Sequence, residues 1–325
     1  MKIVFMGTPD FAVPTLEALI RGGHEVAAVV TQPDKPKGRG KAVLMTPVKE
    51  KALEYGIPVY QPARVKKDEE FFKCLEEICP DAIVVTAFGQ ILPESILNLP
   101  RYGCINVHAS LLPKYRGSAP IQWAVINGDA ETGVTTMMMD VGLDTGDMLE
   151  KTVIPLEPKE TGGSLFDKLS RAGGELILST LRKVEDGTIL RTKQPEEGSS
   201  YAGMLHKELG KIDWTMEAAA IERLIRGLNP WPSAYTSYEN KTMKLWDADV
   251  VSESESSGSE AAEAAEQDGN LAQPGRIVKV RKDCFLVQTG KGLLKVNELQ
   301  LEGKKRMDTA AFLRGYPLKE GAVLG

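Results

Sequence analysis

The chain has 325 residues and a formal net charge of −5, and 42% of its residues are hydrophobic and 26% charged. This length predicts about two domains, and the composition is typical of a globular protein and excludes a disordered or fibrous one. No apolar run reaches the roughly 18 residues of a transmembrane helix, and Met1–Gly7 predicts a first buried strand rather than a signal peptide. The scattered Cys74, Cys79, Cys104 and Cys284 lack zinc-ligand spacing and favour a reduced, cytoplasmic setting.

Strand and helix patterns alternate along the first half of the chain. Strands are predicted at 2–6, 25–31, 58–60, 82–86, 103–107 and 133–139. Helices are predicted at 11–21, 46–55, 68–78, 93–98 and 163–182. Several of these strands are short continuous apolar runs, which is typical of strands covered on both faces. The alternation therefore predicts an α/β domain with a Rossmann-like, mainly parallel sheet.

The first strand leads into the turn Gly7-Thr8-Pro9-Asp10. A dinucleotide-binding fold carries three glycines at this place, whereas this turn has one. Pro9 would obstruct a pyrophosphate and Asp10 would repel it. The turn therefore argues against NAD binding. This excludes the usual interpretation of such a fold as an NAD-dependent oxidoreductase.

Short β-type runs dominate the second half of the chain. They lie at 234–238, 244–246, 275–280, 284–288 and 292–301, after a helical pattern at about 215–227. Five short strands with glycine-rich turns predict a small, OB-like β-barrel. The acidic, low-complexity stretch 251–270 predicts a solvated insertion between two barrel strands. We expect an α/β domain at 1–189, a linker at 190–206 and the barrel domain at 207–325.

An amide and an imidazole share one predicted strand. Asn106 and His108 lie two residues apart at its end, and because a strand repeats its side-chain direction every two residues, both face the same side. The strand then breaks into a loop that runs to Gly117, at the sheet edge where ligands bind in parallel sheets. An amide donor, a titratable imidazole and an open loop are the parts of an acyl-transfer site.

The stretch from Asn106 to Pro113 reads Asn-x-His-x-Ser-Leu-Leu-Pro and is followed by Asp144 in a glycine-rich turn. This combination resembles the folate-dependent formyltransferase family. The resemblance implies a catalytic site made by Asn106, His108 and Asp144, with 10-formyltetrahydrofolate as the cosubstrate and no metal. It also implies cosubstrate contacts, for which the candidates are Ser110, Leu111, Leu112, Pro113, Ile91, Leu92, Val141 and Leu143.

Formyl transfer needs a stabilised oxyanion and a proton that reaches the leaving nitrogen. Asn106 can donate an amide N–H to the oxyanion. The imidazole of His108 can move a proton or, when charged, stabilise the oxyanion. Asp144, if it lies close, would orient the imidazole and favour its charged form.

A basic loop and a second motif narrow the resemblance. The loop 35–41 carries four cations spaced by glycine and proline, which are Lys35, Lys37, Arg39 and Lys41. This loop and Asn229-Pro230-Trp231-Pro232 resemble the family members that act on methionyl-tRNA. The resemblance implies formyl transfer to the α-amino group of methionine on initiator tRNA, in support of translation initiation.

The cations of this loop are our candidates for tRNA contacts. Arg39 is the first candidate, because a guanidinium can pair with phosphate through two hydrogen bonds and stack on bases. A second phosphate-binding surface is expected on the barrel domain, from Lys279, Arg281, Lys282 and Lys304–Arg306. We expect a monomeric cytoplasmic enzyme that makes no membrane contact.

Three alternatives stay open at this stage. The same chemistry could act on a small acceptor such as glycinamide ribonucleotide or an amino sugar, although the basic loop and the second domain argue against it. Water could replace the amine, which would make the enzyme a formyl-folate hydrolase. The third alternative is a non-enzymatic tRNA- or folate-binding protein with a decayed site, and the intact Asn106, His108 and Asp144 argue against it.

Overall fold

The computed structural model of the protein describes residues 1–37, 42–251 and 273–325. These residues form two compact units. The first unit contains Met1–Pro120, Glu131–Pro155 and Leu165–Gly203, and the second contains Ile121–Ala130, Leu156–Ser164 and Met204–Gly325. Two short segments from the first half of the chain are therefore part of the second unit. The division at 189 and 207 into functional domains stays a prediction.

The first unit is built on a seven-stranded sheet with the order β10-β9-β7-β6-β1-β2-β5. The strands of this unit are β1 (Lys2–Gly7), β2 (Glu25–Val30), β3 (Lys35–Lys37), β4 (Ala42–Leu44), β5 (Val59–Tyr60), β6 (Ala82–Thr86), β7 (Cys104–His108), β8 (Arg116–Gly117), β9 (Glu131–Met138), β10 (Met148–Pro155) and β11 (Tyr201–Ala202). From β5 to β7 neighbouring strands are parallel, whereas β9 is antiparallel to both β7 and β10. The prediction of a Rossmann-like, mainly parallel sheet is confirmed.

The helices up to residue 185 are α1 (Val13–Arg21), α2 (Pro47–Glu54), α3 (Glu69–Ile78), α4 (Glu94–Leu97), α5 (Pro120–Asn127) and α6 (Gly162–Glu185). Two of them start at a residue whose side chain accepts a backbone N–H of the first turn. Thr46 accepts from Lys49 N before α2, and Asp68 accepts from Phe71 N before α3. All five residues of β6 and all five of β7 are buried, as their apolar runs predict. The site-bearing strand is therefore central and covered.

Two small strand pairs in the first unit were missed by the sequence interpretation. β3 and β4 form an antiparallel pair, so the basic loop starts in a paired strand and is followed by that strand's partner. Arg39 and Lys41, which were predicted to contact tRNA, lie outside the described residues. β8 and β11 form a parallel pair, which ties part of the predicted linker to the loop after β7. Strands of two or three residues leave too weak a pattern to be recognised in sequence.

The second unit contains a six-stranded antiparallel sheet in which β17 pairs with β16 beside the order β12-β13-β16-β15-β14. Its elements are α7 (Ala218–Gly227), β12 (Ala234–Tyr238), β13 (Lys241–Val250), β14 (Ile277–Val280), β15 (Phe285–Gln288), β16 (Leu293–Leu301), β17 (Met307–Asp308) and α8 (Thr309–Gly315). Ile221 and Ile225 of α7 pack with Phe285 and Leu299 in one core. An antiparallel β unit is what the short runs predict, and OB-like closure stays a prediction. No helix in the described part of the chain is long and apolar enough to cross a membrane.

Candidate active site

Strand β7 carries Asn106 and His108 to the carboxyl edge of the sheet. Asn106 pairs with Val85 of β6 on one side and with Met137 of β9 on the other. Both polar residues are buried, with 9% of Asn106 and 6% of His108 exposed. Two polar side chains in a buried strand need partners, because an unpaired polar group in the interior costs about 1–3 kcal/mol. Their contacts therefore define the site.

Asp144 is the shared partner of these two side chains. Its Oδ1 lies 3.4 Å from Asn106 Nδ2, which donates to it. Its Oδ2 lies 3.7 Å from His108 Nδ1 and accepts the backbone N–H of Gly117 at 2.9 Å. The structure thus brings together the three residues predicted to be catalytic, although Asp144 is distant from the other two in sequence. Only 13% of the Asp144 side chain is exposed, so its charge is poorly screened by solvent.

The two ring nitrogens of His108 both face oxygen acceptors. Nε2 lies 2.9 Å from the carbonyl oxygen of Tyr115, which can only accept, so this nitrogen carries the proton. Nδ1 faces the Asp144 carboxylate at a distance too long for a direct hydrogen bond. The backbone contact fixes the ring orientation and leaves Nδ1 as the nitrogen that can exchange a proton within the site.

The segment 139–147, here called the Asp144 loop, holds Asp144 in a strained conformation. Asp144 has a φ of +54°, which typically costs about 1–3 kcal/mol outside glycine and persists where surrounding contacts impose it. Asp140 Oδ1 accepts from Gly142 N and Thr145 Oγ1 inside the loop. Gly146 lies so close to the strand that a Cβ would be 1.8 Å from Met138 O. The loop is therefore shaped by its own contacts and by close packing on β9.

The loop between β7 and β8 is also fixed by buried hydrogen bonds. Ser110 Oγ donates to Lys114 O at 2.6 Å, and Thr135 Oγ1 donates to Ser110 O and accepts from Leu112 N. The side chains of Ser110 and Leu112 are fully buried, and Leu112 packs with methionines of β9 and β10. Of the four cosubstrate candidates in this loop, Leu111 and Pro113 are the two that are partly exposed.

The other cosubstrate candidates divide into one buried and three exposed side chains. Leu92 is 3% exposed and belongs to the core of the sheet, together with residues of β6. Ile91, Val141 and Leu143 are 74%, 71% and 50% exposed. Ile91 follows β6, which is the neighbour of β7, and the other two precede Asp144 in its loop. We call these three exposed side chains the apolar rim; side chains of this kind suit a flat heteroaromatic ring.

The basic residues predicted to bind tRNA differ in their contacts with other side chains. Lys35 is exposed, and Lys37 is placed by its backbone in β3. In the second unit Arg281, Lys282, Lys304 and Lys305 are exposed. Arg306 instead pairs with Glu298 through two hydrogen bonds and stacks on the ring of Trp246 at 4.6 Å. An arginine held in this way is less available to phosphate than its neighbours.

Two contributors to the site were missed by the sequence interpretation. The Gly117 N–H, already described, holds the Asp144 carboxylate, and Gln194 donates to two carbonyls of the Asp144 loop. Gly117 has a φ of +107°, and a Cβ there would lie 2.7 Å from the Tyr201 ring. A glycine at the end of a loop and a glutamine in a predicted linker carry no local signal, because their roles depend on contacts across the chain.

Comparison with known proteins defines the class first. Residues 1–181 match the formyl transferase family and residues 204–317 match the formyl transferase C-terminal domain. The chain is 57% identical over 322 residues to the methionyl-tRNA formyltransferase of Agathobacter rectalis, which covers 99% of each chain. It is 56% identical over 325 residues to the methionyl-tRNA formyltransferase of Lachnospira eligens, which covers 100% of each. The chain therefore belongs to the methionyl-tRNA formyltransferase family.

Solved structures share the fold at low sequence identity. The sugar 3N-formyl transferase WlaRD, solved with dTDP and 5-N-formyl-THF, matches with a TM-score of 0.65 at 18% identity, over 94% of this chain and 99% of its own. HypX from Aquifex aeolicus in complex with tetrahydrofolic acid matches with a TM-score of 0.60 at 16% identity over 100% of this chain. This chain spans about half of HypX, since it covers 50% of that protein. At these identities the likeness concerns the fold alone.

Proposed function

We propose that this enzyme transfers a formyl group from 10-formyltetrahydrofolate to the α-amino group of methionine on initiator tRNA, and so supports translation initiation. The observation that carries the proposal is the buried cluster of Asn106, His108 and Asp144 at the carboxyl edge of the sheet. An oxyanion donor, a titratable ring and an orienting carboxylate are the groups that acyl transfer to an amine requires. Family membership supports tRNA as the acceptor.

Asn106 supplies the oxyanion contact. Its amide nitrogen carries two N–H groups, one of which faces Asp144 Oδ1. The second N–H is left for the oxygen of the formyl group, where negative charge develops as the amine attacks. Because Asp144 and the strand hold the amide before reaction, little reorganisation is needed when the charge forms.

His108 handles the proton at Nδ1. The attacking amine loses a proton as the new C–N bond forms, and the nitrogen of the donor gains one as the old C–N bond breaks. Nε2 stays engaged with Tyr115 O, so Nδ1 is the ring atom that takes and returns the proton. Asp144 stabilises the ring while it carries the extra charge. The proton lost by the amine thus reaches the donor nitrogen, and one C–N bond forms as the other breaks.

Binding of the two substrates is assigned to separate surfaces. The apolar rim, together with Leu111 and Pro113, contacts the pterin ring of the cosubstrate. Lys35, Lys37, Arg39 and Lys41 contact tRNA phosphates beside the catalytic unit. The exposed cations Arg281, Lys282, Lys304 and Lys305, together with the partly buried Lys279, add phosphate contacts from the second unit. We also propose that the enzyme is monomeric and cytoplasmic.

Transfer of radiolabelled formyl from 10-formyltetrahydrofolate tests the proposed function. Methionyl initiator tRNA and free methionine are offered as parallel acceptors, and released formate is counted in both. We expect label on the charged tRNA and none on free methionine. Formate release without labelled tRNA would identify a formyl-folate hydrolase, and label on a small amine would overturn the tRNA assignment.

The role of the basic loop is tested separately with Arg39→Ala. The loss of one phosphate contact should raise the KM for tRNA. It should also reduce the slope of log binding constant against log salt concentration by about 1. Arg101→Ala is the matched control, because Arg101 is exposed in the first unit and stacks on its neighbour Tyr102. Equal kinetics in both variants would remove Arg39 from the tRNA surface.

A further inference from the structure

Gln194 contacts the catalytic loop from a segment that the sequence predicts to be a linker. Its Nε2 donates to the carbonyl oxygens of Asp144 and Gly146, at 2.8 Å each. These are the carbonyls of the catalytic carboxylate's own residue and of the glycine packed on β9. We propose that Gln194 is a positioning residue that holds Asp144 in its catalytic conformation. This inference rests on the proposed function, because it assigns Gln194 a role in that same site.

The orientation of the Gln194 amide is fixed by chemistry as well as by geometry. Its Oε1 accepts from Arg116 Nε at 3.0 Å, and a guanidinium can only donate. Its nitrogen faces two carbonyls, which can only accept. Turning the amide over would therefore place donor against donor and acceptor against acceptor. One orientation satisfies all three partners, so the side chain is locked as a bridge between Arg116 and the Asp144 loop.

The backbone around Gln194 is held on both sides. Two residues earlier, Thr192 exchanges a pair of backbone hydrogen bonds with Met148 at the start of β10, at 2.8 and 2.9 Å. Further along, β11 pairs with β8, which contains Arg116 and Gly117. The segment 192–202 is thus anchored by backbone hydrogen bonds near both of its ends. A glutamine on a fixed backbone can impose a conformation on a neighbouring loop.

Asp144 needs such an external restraint. Its backbone has a positive φ, and its carboxylate must reach Asn106, His108 and the Gly117 N–H at the same time. A rotation of the peptide groups at 144–146 would swing the carboxylate away from these partners. Gln194 binds the carbonyls on either side of that rotation. Loss of its two hydrogen bonds should therefore displace Asp144 without removing any group that touches substrate.

Gln194→Met tests the proposal because it keeps the length of the side chain and removes both donors. We expect kcat to fall by roughly 10- to 100-fold, as a displacement of about 1 Å in a catalytic group does, while the KM values stay nearly unchanged. Gln194→Glu is the second variant, because it keeps the contact with Arg116 and places oxygen against the two carbonyls. Gln288→Met is the control, since it removes one glutamine contact to a backbone carbonyl in the second unit.

A double variant separates positioning from a general loss of structure. If Gln194 acts through Asp144, Gln194→Met combined with Asp144→Asn should be no slower than Asp144→Asn alone. Losses that multiply would overturn the proposal, and so would wild-type kcat in both Gln194 variants. Raised KM values with an unchanged kcat would also contradict it.

Nuclear magnetic resonance of the histidine rings gives a readout that does not depend on activity. The chain has three histidines, so their ring signals can be assigned by single substitutions. We expect Gln194→Met to shift the His108 signal in the same direction as Asp144→Asn, with the signals of His24 and His206 unmoved. An unmoved His108 signal would overturn the positioning role. If the wild-type enzyme transferred no formyl group, the proposed function would fail while this spectral test still decided the contact.

Discussion

The buried cluster of Asn106, His108 and Asp144 and the apolar rim are built in opposite ways. Asn106, His108 and Asp144 are largely buried and are held by hydrogen bonds from strands and loops. Ile91, Val141 and Leu143 are half to three-quarters exposed large apolar side chains. The buried cluster is held in one arrangement before any ligand binds, whereas the rim leaves apolar surface that a ligand can cover. Rigid placement favours rate, and burial of exposed apolar surface favours binding.

The largest effect is expected from His108→Ala, which removes the only ring in the cluster. Because general acid–base catalysis contributes about 10²- to 10⁴-fold, kcat should fall by that factor while tRNA affinity is nearly retained. Turnover and tRNA binding are measured side by side. His206→Ala is the control, as His206 is exposed and should retain wild-type turnover. Full activity in His108→Ala would remove the ring from the mechanism.

Asn106→Ala should have the next largest effect. Loss of a single oxyanion donor costs roughly 10²- to 10³-fold in kcat in comparable sites. The KM for the cosubstrate should change little, because the amide acts mainly on charge that forms during reaction. Steady-state kinetics with saturating methionyl-tRNA measures both constants. A change confined to KM would place Asn106 in binding rather than in catalysis.

Substitution of the apolar rim should affect binding rather than rate. Burial of a valine side chain is worth about 1.5–3 kcal/mol at most, so Val141→Ser should raise the KM for 10-formyltetrahydrofolate by roughly tenfold with kcat unchanged. Val153→Ser is a matched control, because Val153 is 54% exposed on β10 and is not part of the rim. Equal KM values in the two variants would contradict the assignment of cosubstrate binding to the rim.

The smallest effect is expected from chemical modification of β7, the strand that carries Asn106 and His108. Cys104 starts β7, and burial raises the pKa of its thiol to about 12, so at pH 8 it stays protonated. We expect iodoacetamide to modify the exposed Cys79 in the native enzyme and to leave Cys104 intact until the protein is unfolded. Peptide mass spectrometry locates the label. Rapid labelling of native Cys104 would show that the catalytic strand opens readily.

Local patterns in the sequence were sufficient for the catalytic strand and its neighbours. The apolar run at 82–86 and the strand ending at Asn106 and His108 are β6 and β7, because continuous apolar runs report burial on both faces. The same reasoning missed β10, an edge strand in which exposed residues alternate with partly buried ones. Such a strand lacks the continuous apolar run that marks β6.

Sequence patterns were sufficient to predict the central strands of the sheet, its main helices, the face shared by Asn106 and His108, and the family resemblance that implied Asp144. These features depend on residue type and on spacing along the chain. Only the packing of the chain shows that the Asp144 carboxylate accepts the Gly117 N–H and that Gln194 donates to the Asp144 loop. It also shows that Leu92 and Leu112 are core residues. Such contacts join residues far apart in sequence, and their existence depends on how the chain packs.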